Sequence, residues 1–159
     1  MLVIFEGRTR HKAFHDPGTK TIDLWSADAR AEGNAFALGE ALVVVCDDEG
    51  AFGHLSLDYS SLSLDGVLPN CPEECPTATI ADLELTESDC LQALVDSAEG
   101  TMRLSFGERI PVQWARLGEN LLWLGLDSTG CLASMMVRGI SRDAGGKAQN
   151  AWLAEVGIG

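Results

Sequence analysis

A long stretch of this chain carries carboxylates and no basic side chain. Between Arg30 and Arg103 lie 72 consecutive residues without a lysine or an arginine, and fifteen of them are aspartate or glutamate. Because acids at this density repel one another, folding of this stretch leaves a negative potential for water, salt or a basic partner to neutralise. We therefore predict that it docks on a basic macromolecular surface. The candidate partner-binding residues are Asp47, Asp48, Glu49, Asp58, Asp65, Glu73, Glu74, Asp82 and Glu84.

The predicted function is that of a small acidic binding or inhibitor protein whose partner is a basic protein. Direct binding of nucleic acid is disfavoured, because a duplex would meet a molecule with a formal net charge of -13. Immunity proteins that inhibit basic nucleases, and proteins that mimic nucleic acid, have similar size and charge. That likeness is one of class, because no motif of such a family occurs in the sequence.

Two other classes of function are compatible with the sequence. One is a small enzyme or ligand-binding domain with a pocket lined by Trp114, Trp123 and His54. The other is a structural subunit with no charge-based partner, because three lysines against eight arginines is a profile that a GC-rich or salt-adapted source would also produce. No nucleophile elbow, Walker loop or dinucleotide-binding glycine motif occurs, so no catalytic residue is predicted. Cys46 and His54 formally permit a Cys–His dyad, but packing of Cys46 in the core is the favoured interpretation.

The cysteines and histidines are not spaced like a metal-ligand set. Cys71 and Cys75 are three residues apart, whereas zinc sites usually use Cys-x2-Cys pairs with a second pair at a matching spacing. His11 and His15 stand in a basic cluster, residues 8–15, which opposes the binding of a cation. We expect no metal and no cofactor. The cluster is expected instead to lie against acidic surface, either within the fold or across a homodimer.

The expected location is the cytoplasm. The five cysteines are odd in number and mostly lie in apolar surroundings, as expected of reduced thiols. The N-terminal apolar run ends at Glu6, which is too short for the core of a signal peptide. No apolar run reaches the roughly 18–20 residues that a membrane-spanning helix needs, so we expect no membrane association.

The elements that must position these residues are mainly strands. At 159 residues the chain has the size of one domain, and we predict a single globular domain, residues 1–159. Its predicted class is α+β, with a mostly antiparallel sheet arranged as a meander, a curved sheet or a partly open barrel. The β-branched run at 42–46 and the alternation over 55–64 and 79–85 predict strands. Three successive hairpin turns between 101 and 137 give the strongest strand signal. No repeat of 20–50 residues is evident.

One helix is predicted near 87–99. Thr86 is a suitable N-cap, apolar residues follow at helical spacing from Leu91 to Ala98, and Gly100 supplies a stop. Residues 141–150 are predicted to form a polar loop, and the type of the terminal segment, 151–158, is left open. The run 121–126 is apolar on both faces and predicts a central strand. The centre of the core is predicted to consist of Leu122, Trp123, Leu124 and Leu126.

Overall fold

The structure is a computed structural model that describes residues 2–29, 33–62, 72, 74–84, 91–96 and 98–158. These residues form fourteen strands and one helix, which confirms the α+β class with a mostly antiparallel sheet. The elements are β1 (Leu2–Glu6), β2 (His11–Asp16), β3 (Thr21–Ser26), β4 (Asn34–Leu38), β5 (Leu42–Cys46), β6 (Phe52–Asp58), β7 (Thr77–Ala78), β8 (Ile80–Glu84), β9 (Leu91–Asp96), β10 (Thr101–Phe106), β11 (Gln113–Leu117), β12 (Leu122–Leu126), β13 (Leu132–Val137), β14 (Ser141–Arg142) and α1 (Lys147–Val156).

Two six-stranded sheets share one hydrophobic core. Sheet 1 has the order β14-β2-β3-β6-β5-β4, and sheet 2 has the order β7-β11-β12-β13-β10-β9. Among the paired strands, only the two-residue edge strands β7 and β14 pair in parallel. Alternate residues of both sheets enter the same buried cluster, for example Leu24 and Leu55 of sheet 1 and Leu104 and Met135 of sheet 2. The two sheets therefore pack face to face, and each has one face turned away from the core.

The two sheets are built from the same unit, which occurs twice along the chain. Unit 1 comprises β1–β6 and unit 2 comprises β8–β13. In each unit the first strand is followed by a hairpin, β2–β3 or β9–β10, and then by a three-stranded meander, β4–β6 or β11–β13. The last strand of the meander pairs with the second strand of the hairpin. Leu42 lies opposite Leu57 in unit 1, and Leu122 lies opposite Val137 in unit 2, which is the same register 80 residues later. Both of these pairs carry a bulge at the equivalent place.

The first strands of the two units pair with each other. β1 and β8 are antiparallel, and Val3 lies opposite Leu83, the residue 80 positions later in the sequence, so the register is symmetric about this equivalent pair. An antiparallel pair of equivalent strands with a symmetric register is the arrangement of two copies related by a twofold axis. The period, about 80 residues, is longer than the 20–50 residues typical of solenoid repeats, and the duplication is visible in the pairing of strands rather than in the amino-acid sequence.

The prediction of a helix near 87–99 is wrong for the described residues of that range. Residues 91–96 form β9, which pairs with β10 along its whole length. Leu91, Ala93 and Val95 also fit a period of two, and Ala93 is buried in the core at 1% exposure. The local sequence permits both the helical and the strand periodicity. Pairing with β10 and burial in the shared core select the strand. The predicted cap, Thr86, lies outside the described residues.

The helix of the structure lies at the C-terminal end of the described chain, where the sequence analysis predicted a polar loop and a segment of open type. It ends at Gly157, whose φ of 81° is the left-handed conformation typical of a helix C-cap. Trp152 is buried and packs on Phe14 of β2, with 6.1 Å between the ring centroids. The helix thus covers part of the outer face of sheet 1. Within the described residues, no helix is long and apolar enough to span a membrane.

Two predictions about sheet 2 need correction. Strands β10 and β11 are not hairpin partners, because the chain crosses over and β10 pairs with β9 and β13. Accordingly, Ile110 and Val112, which precede β11, are 74% and 66% exposed. Trp123 is buried at 3% exposure, but it lies on the face of β12 opposite to the core residues Leu122 and Leu124. Its indole Nε1 donates a hydrogen bond to the Pro72 carbonyl oxygen at 3.1 Å. Leu126 packs against the core as a partly buried residue.

Candidate functional site

The β5–β6 turn, residues 47–51, is held by the carboxylate of its first residue. Asp47 Oδ1 accepts hydrogen bonds from the backbone N–H groups of Glu49 and Ala51, each at 2.9 Å. The Asp47 N–H donates to the Ala51 carbonyl oxygen at 3.0 Å, and Gly50 adopts a φ of 87°. Because Oδ1 is engaged within the turn, Oδ2 is the Asp47 oxygen left for another partner. Asp48 and Glu49 are exposed at the tip of the turn.

An acidic cleft of about 530 Å³ opens between this turn and the ends of β1 and β3. Among the described residues, no lysine or arginine lines it, whereas four carboxylates from three separate segments of the chain do. Its remaining walls include the apolar side chains of Ile4, Ala29 and Phe52. The cleft therefore combines a concentrated negative potential with apolar contact surface. The four carboxylates are Glu6, Asp28, Asp47 and Glu49.

Hydrogen bonds within the cleft position Asp28. The Thr9 hydroxyl donates to Asp28 Oδ2 at 2.6 Å, and the Asp28 N–H donates to the Ser26 hydroxyl oxygen at 3.2 Å. His11 also lines the cleft, and burial lowers its pKa below the ordinary value of 6.5. At neutral pH a histidine with a lowered pKa is uncharged. The imidazole therefore does not neutralise the surrounding carboxylates.

The Cys46 thiol at the base of the cleft is unsuited to nucleophilic catalysis. Burial, reinforced by the charge of Asp47, raises the pKa of the thiol to about 11, so it stays protonated at neutral pH. Cys46 belongs to the core, whereas His54 lies on the outer face of sheet 1 opposite Val45. A Cys46–His54 dyad is therefore excluded. Cys46, Cys75 and Cys131 are free thiols.

The predicted acids gather only in part around the cleft. Asp47 and Glu49 line it, and Asp48 lies in the same turn. Asp82 is exposed on β8, and the strand β1 separates it from the turn, since the Ile4 N–H donates to the Gly50 carbonyl oxygen and Ile4 pairs with Asp82. Two strand spacings place Asp82 about 10 Å from the turn. The acids of the turn and Asp82 therefore lie on the same part of the surface.

The other predicted acids lie elsewhere or outside the described residues. Asp58 ends β6, about 20 Å from the turn at the other end of that strand. Its Oδ1 accepts hydrogen bonds from the Ser60 hydroxyl and N–H, which lower the pKa of the carboxyl. Glu74 is exposed near the edge strand β7 of sheet 2. The Glu84 backbone pairs with β1, but its side chain is not among those described. Asp65 and Glu73 lie outside the described residues.

Sequence reasoning missed two of the four cleft carboxylates, Glu6 and Asp28. Both precede Arg30, so they lie outside the cation-free stretch that motivated the prediction. They reach the cleft because β1 packs beside the β5–β6 turn and because β3 pairs with β6. Neither contact has a signal in the linear charge pattern.

Few of the described acids are neutralised within the fold. One contact between an arginine and a carboxylate of the described residues falls within 4.0 Å, from Arg109 Nε to Asp127 Oδ2 at 3.9 Å. Arg8, Arg10 and Lys12 are exposed and make no ion pair with a described carboxylate. The predicted packing of the basic cluster against acidic surface is therefore not seen among the described residues.

The structure does not bring Trp114, Trp123 and His54 together. His54 lies on the outer face of sheet 1, stacked on Trp25 at 3.6 Å, and its Nε2 lies 2.8 Å from Asp23 Oδ1. Trp114 and Trp123 belong to β11 and β12 of sheet 2. The described clefts contain none of the three. The pocket that they were expected to line is not formed by the described residues.

No protein-family model and no curated protein matches this sequence. Within the described part of the chain, no group of three His, Cys, Asp or Glu side chains is placed to hold a metal ion.

Proposed function

We propose that this protein is a small acidic binding protein, of the inhibitor type, that docks on a basic protein through the acidic cleft and the adjacent turn. The observation that supports this most directly is the lining of the cleft by Glu6, Asp28, Asp47 and Glu49, which come from three separate segments. In the part of the chain that the structure describes, no lysine or arginine lines this cavity.

The exposed acids and the cleft would contribute to binding in different ways. Asp48 and Glu49 at the tip of the turn attract a basic surface over a distance limited by screening, about 8 Å at physiological ionic strength. This attraction mainly raises the association rate. Ile4 and Phe52 supply apolar contact in the cleft, which slows dissociation once a side chain has entered.

Two variants with the same change in net charge test the proposal. The cleft variant carries Glu6→Gln, Asp48→Asn and Glu49→Gln. The control variant carries Asp58→Asn, Glu74→Gln and Glu99→Gln, which are exposed acids away from the cleft. Each protein is immobilised and used to capture partners from a lysate of the native host at low salt, and the bound proteins are eluted with high salt.

The expected result is a basic protein that is retained by the wild-type and control chains and lost from the cleft variant. Equal loss from both variants would mean that net charge acts diffusely and that the cleft is not the docking site. Failure of the wild-type chain to retain any basic protein at low salt would favour a structural subunit with no charge-based partner.

A further inference from the structure

Unit 2 contains a turn that is equivalent to the turn beside the acidic cleft. Asp127 Oδ1 accepts hydrogen bonds from the N–H groups of Thr129, at 2.8 Å, and Cys131, at 3.0 Å. Gly130 has a φ of 84° and donates its N–H to the Asp127 carbonyl oxygen. Asp47 makes the same contacts with residues 49–51, 80 positions earlier. In both units Oδ1 of the aspartate builds the turn, which leaves Oδ2 for another partner.

In unit 2 an arginine of the same chain lies against that second oxygen. Arg109 Nε is 3.9 Å from Asp127 Oδ2, and Arg109 Nη1 donates a hydrogen bond to the Leu132 carbonyl oxygen at 3.2 Å. The Thr129 hydroxyl, followed by backbone N–H groups and Arg109, lowers the pKa of Asp127. The guanidinium thus contacts both the turn carboxylate and the first residue of the strand that follows.

Among the described residues of unit 1, no arginine or lysine side chain lies at the equivalent place. The position equivalent to Arg109 is Ala29, which lines the acidic cleft and ends at Cβ. The counterparts of Asp127 and Leu132 are Asp47 and Phe52, and both line the cleft as well. The cleft therefore occupies the region that the arginine side chain fills in unit 2.

We infer that the acidic cleft receives an arginine side chain of the basic partner, whose guanidinium lies against Asp47 Oδ2 and the Phe52 backbone carbonyl. This inference rests on the proposed docking function and names the chemical group that is recognised. Asp28 and Glu49 supply further acceptors around the same cavity. A planar guanidinium with five N–H donors can use several acceptors at once, whereas a lysine ammonium acts as a compact point charge. The cleft should therefore select arginine over lysine.

Three matched capped tripeptides test the inference without knowledge of the partner. They are acetyl-Gly-Arg-Gly-amide, its lysine counterpart, and its citrulline counterpart, which keeps the shape of arginine but has no charge. Each is titrated into the ¹⁵N-labelled chain at low salt, and backbone amide shifts are followed by NMR. We expect the arginine peptide to shift residues 47–53, with a Kd about tenfold lower than that of the lysine peptide. The citrulline peptide should cause no saturable shift.

Two substitutions locate the site. Ala29→Arg should fill the cleft from within, as Arg109 does in unit 2, and abolish binding of the arginine peptide. Ala29→Gln adds a side chain without charge and should retain binding. Asp47→Asn keeps Oδ1 as the acceptor of the turn and replaces the charged Oδ2 by an amide NH2 group. This substitution should weaken binding of the arginine peptide about tenfold.

Equal affinity for the arginine and lysine peptides, or unchanged arginine binding by the Ala29→Arg variant, would overturn the inference. These outcomes are separable from failure of the proposed function. A partner that is released by the cleft variant but does not discriminate arginine from lysine would leave charge-based docking standing and remove only the recognition of guanidinium.

Discussion

Asp47 and Asp127 stand 80 residues apart and hold equivalent turns with the same pattern of hydrogen bonds. Each carboxylate accepts N–H groups from the residues two and four positions later. The two turns differ in what the second carboxylate oxygen meets. In unit 2 it lies near Arg109, whereas in unit 1 Asp47 borders a cleft that no lysine or arginine of the described residues lines. The two equivalent turns thus differ, since the described residues place an arginine beside the Asp127 carboxylate and none beside the Asp47 carboxylate.

Asp47 should stabilise the folded chain through the hydrogen bonds that hold its turn. Asp47→Ala should destabilise the chain by about 1–2 kcal/mol, because two backbone donors lose their acceptor. Asp47→Asn should cost clearly less, since the amide oxygen can still accept both bonds. Urea denaturation of the two variants measures the difference. Equal losses in the two variants would show that charge, and not the hydrogen bonds of the turn, accounts for the stabilisation.

Asn120 links the two units and should contribute to stability. Its Oδ1 accepts a hydrogen bond from the His11 N–H at 3.0 Å, and its Nδ2 donates to the carbonyl oxygens of Gly7, at 3.3 Å, and Thr9, at 3.0 Å. Asn120→Ala should cost about 2–3 kcal/mol, because backbone groups of unit 1 lose their partners.

The matched control for this substitution is Asn150→Ala, which removes an exposed asparagine on α1 and should change the free energy of unfolding by less than about 0.5 kcal/mol. Chemical denaturation of both variants gives the comparison. Similar small changes in the two would contradict a bridging role for Asn120.

Stability should fall as the solution becomes mildly acidic. Burial lowers the pKa of both His11 and His15 in the folded chain below 6.5. Below that pH the unfolded chain binds more protons than the folded chain, so the free energy of unfolding decreases. The slope is at most about 1.4 kcal/mol per pH unit for each histidine. Above this range the unfolded chain is also neutral and the contribution of the histidines is constant.

Urea midpoints measured between about pH 5.5 and 7.5 test this dependence. His11→Gln should reduce the slope, and combining it with His15→Gln should reduce it further. A free energy of unfolding that does not change with pH over this window would contradict the assignment of buried, neutral histidines.

The thiols should differ in reactivity. Cys46 is 1% exposed and its pKa is raised to about 11, so iodoacetamide should modify it at least about 100-fold more slowly than Cys131 in the folded chain at pH 8. After denaturation without reductant, mass spectrometry should find five modified thiols. Rapid labelling of Cys46 would contradict its buried position, and a stoichiometric Cys71–Cys75 bridge would contradict the expectation of reduced cysteines.

Local sequence signals predicted the strands and turns that depend on neighbouring residues. The run Leu42–Cys46 and the turn at 127–130 lie where the pattern placed them, because β-branched runs and turns set by an aspartate side chain and a glycine depend on neighbouring residues. β9 was predicted as a helix because its residues satisfy both periods, and only pairing with β10 distinguishes them. The crossover between β10 and β11 was missed for the same reason, since a two-residue turn signal at Gly107 does not report which strand follows in the sheet.

Only the turn of the candidate site could be predicted from the sequence. The density of carboxylates indicated Asp47, Asp48 and Glu49, which are consecutive in the sequence. Glu6 and Asp28 join them through contacts between β1, β3 and the β5–β6 turn, which a linear charge count does not contain. The relation to Arg109 depends on a duplication that is expressed mainly in strand order and register.

The most direct test of the docking function is the association rate of the captured basic partner with the wild-type, cleft-variant and control chains as salt is raised. We expect the wild-type rate constant to fall by about an order of magnitude or more between low and high salt, with a smaller change in the dissociation rate. At low salt the cleft variant should associate more slowly than the control variant of equal net charge. A partner whose association is indifferent to salt and equal for the two variants would contradict docking through the acidic cleft.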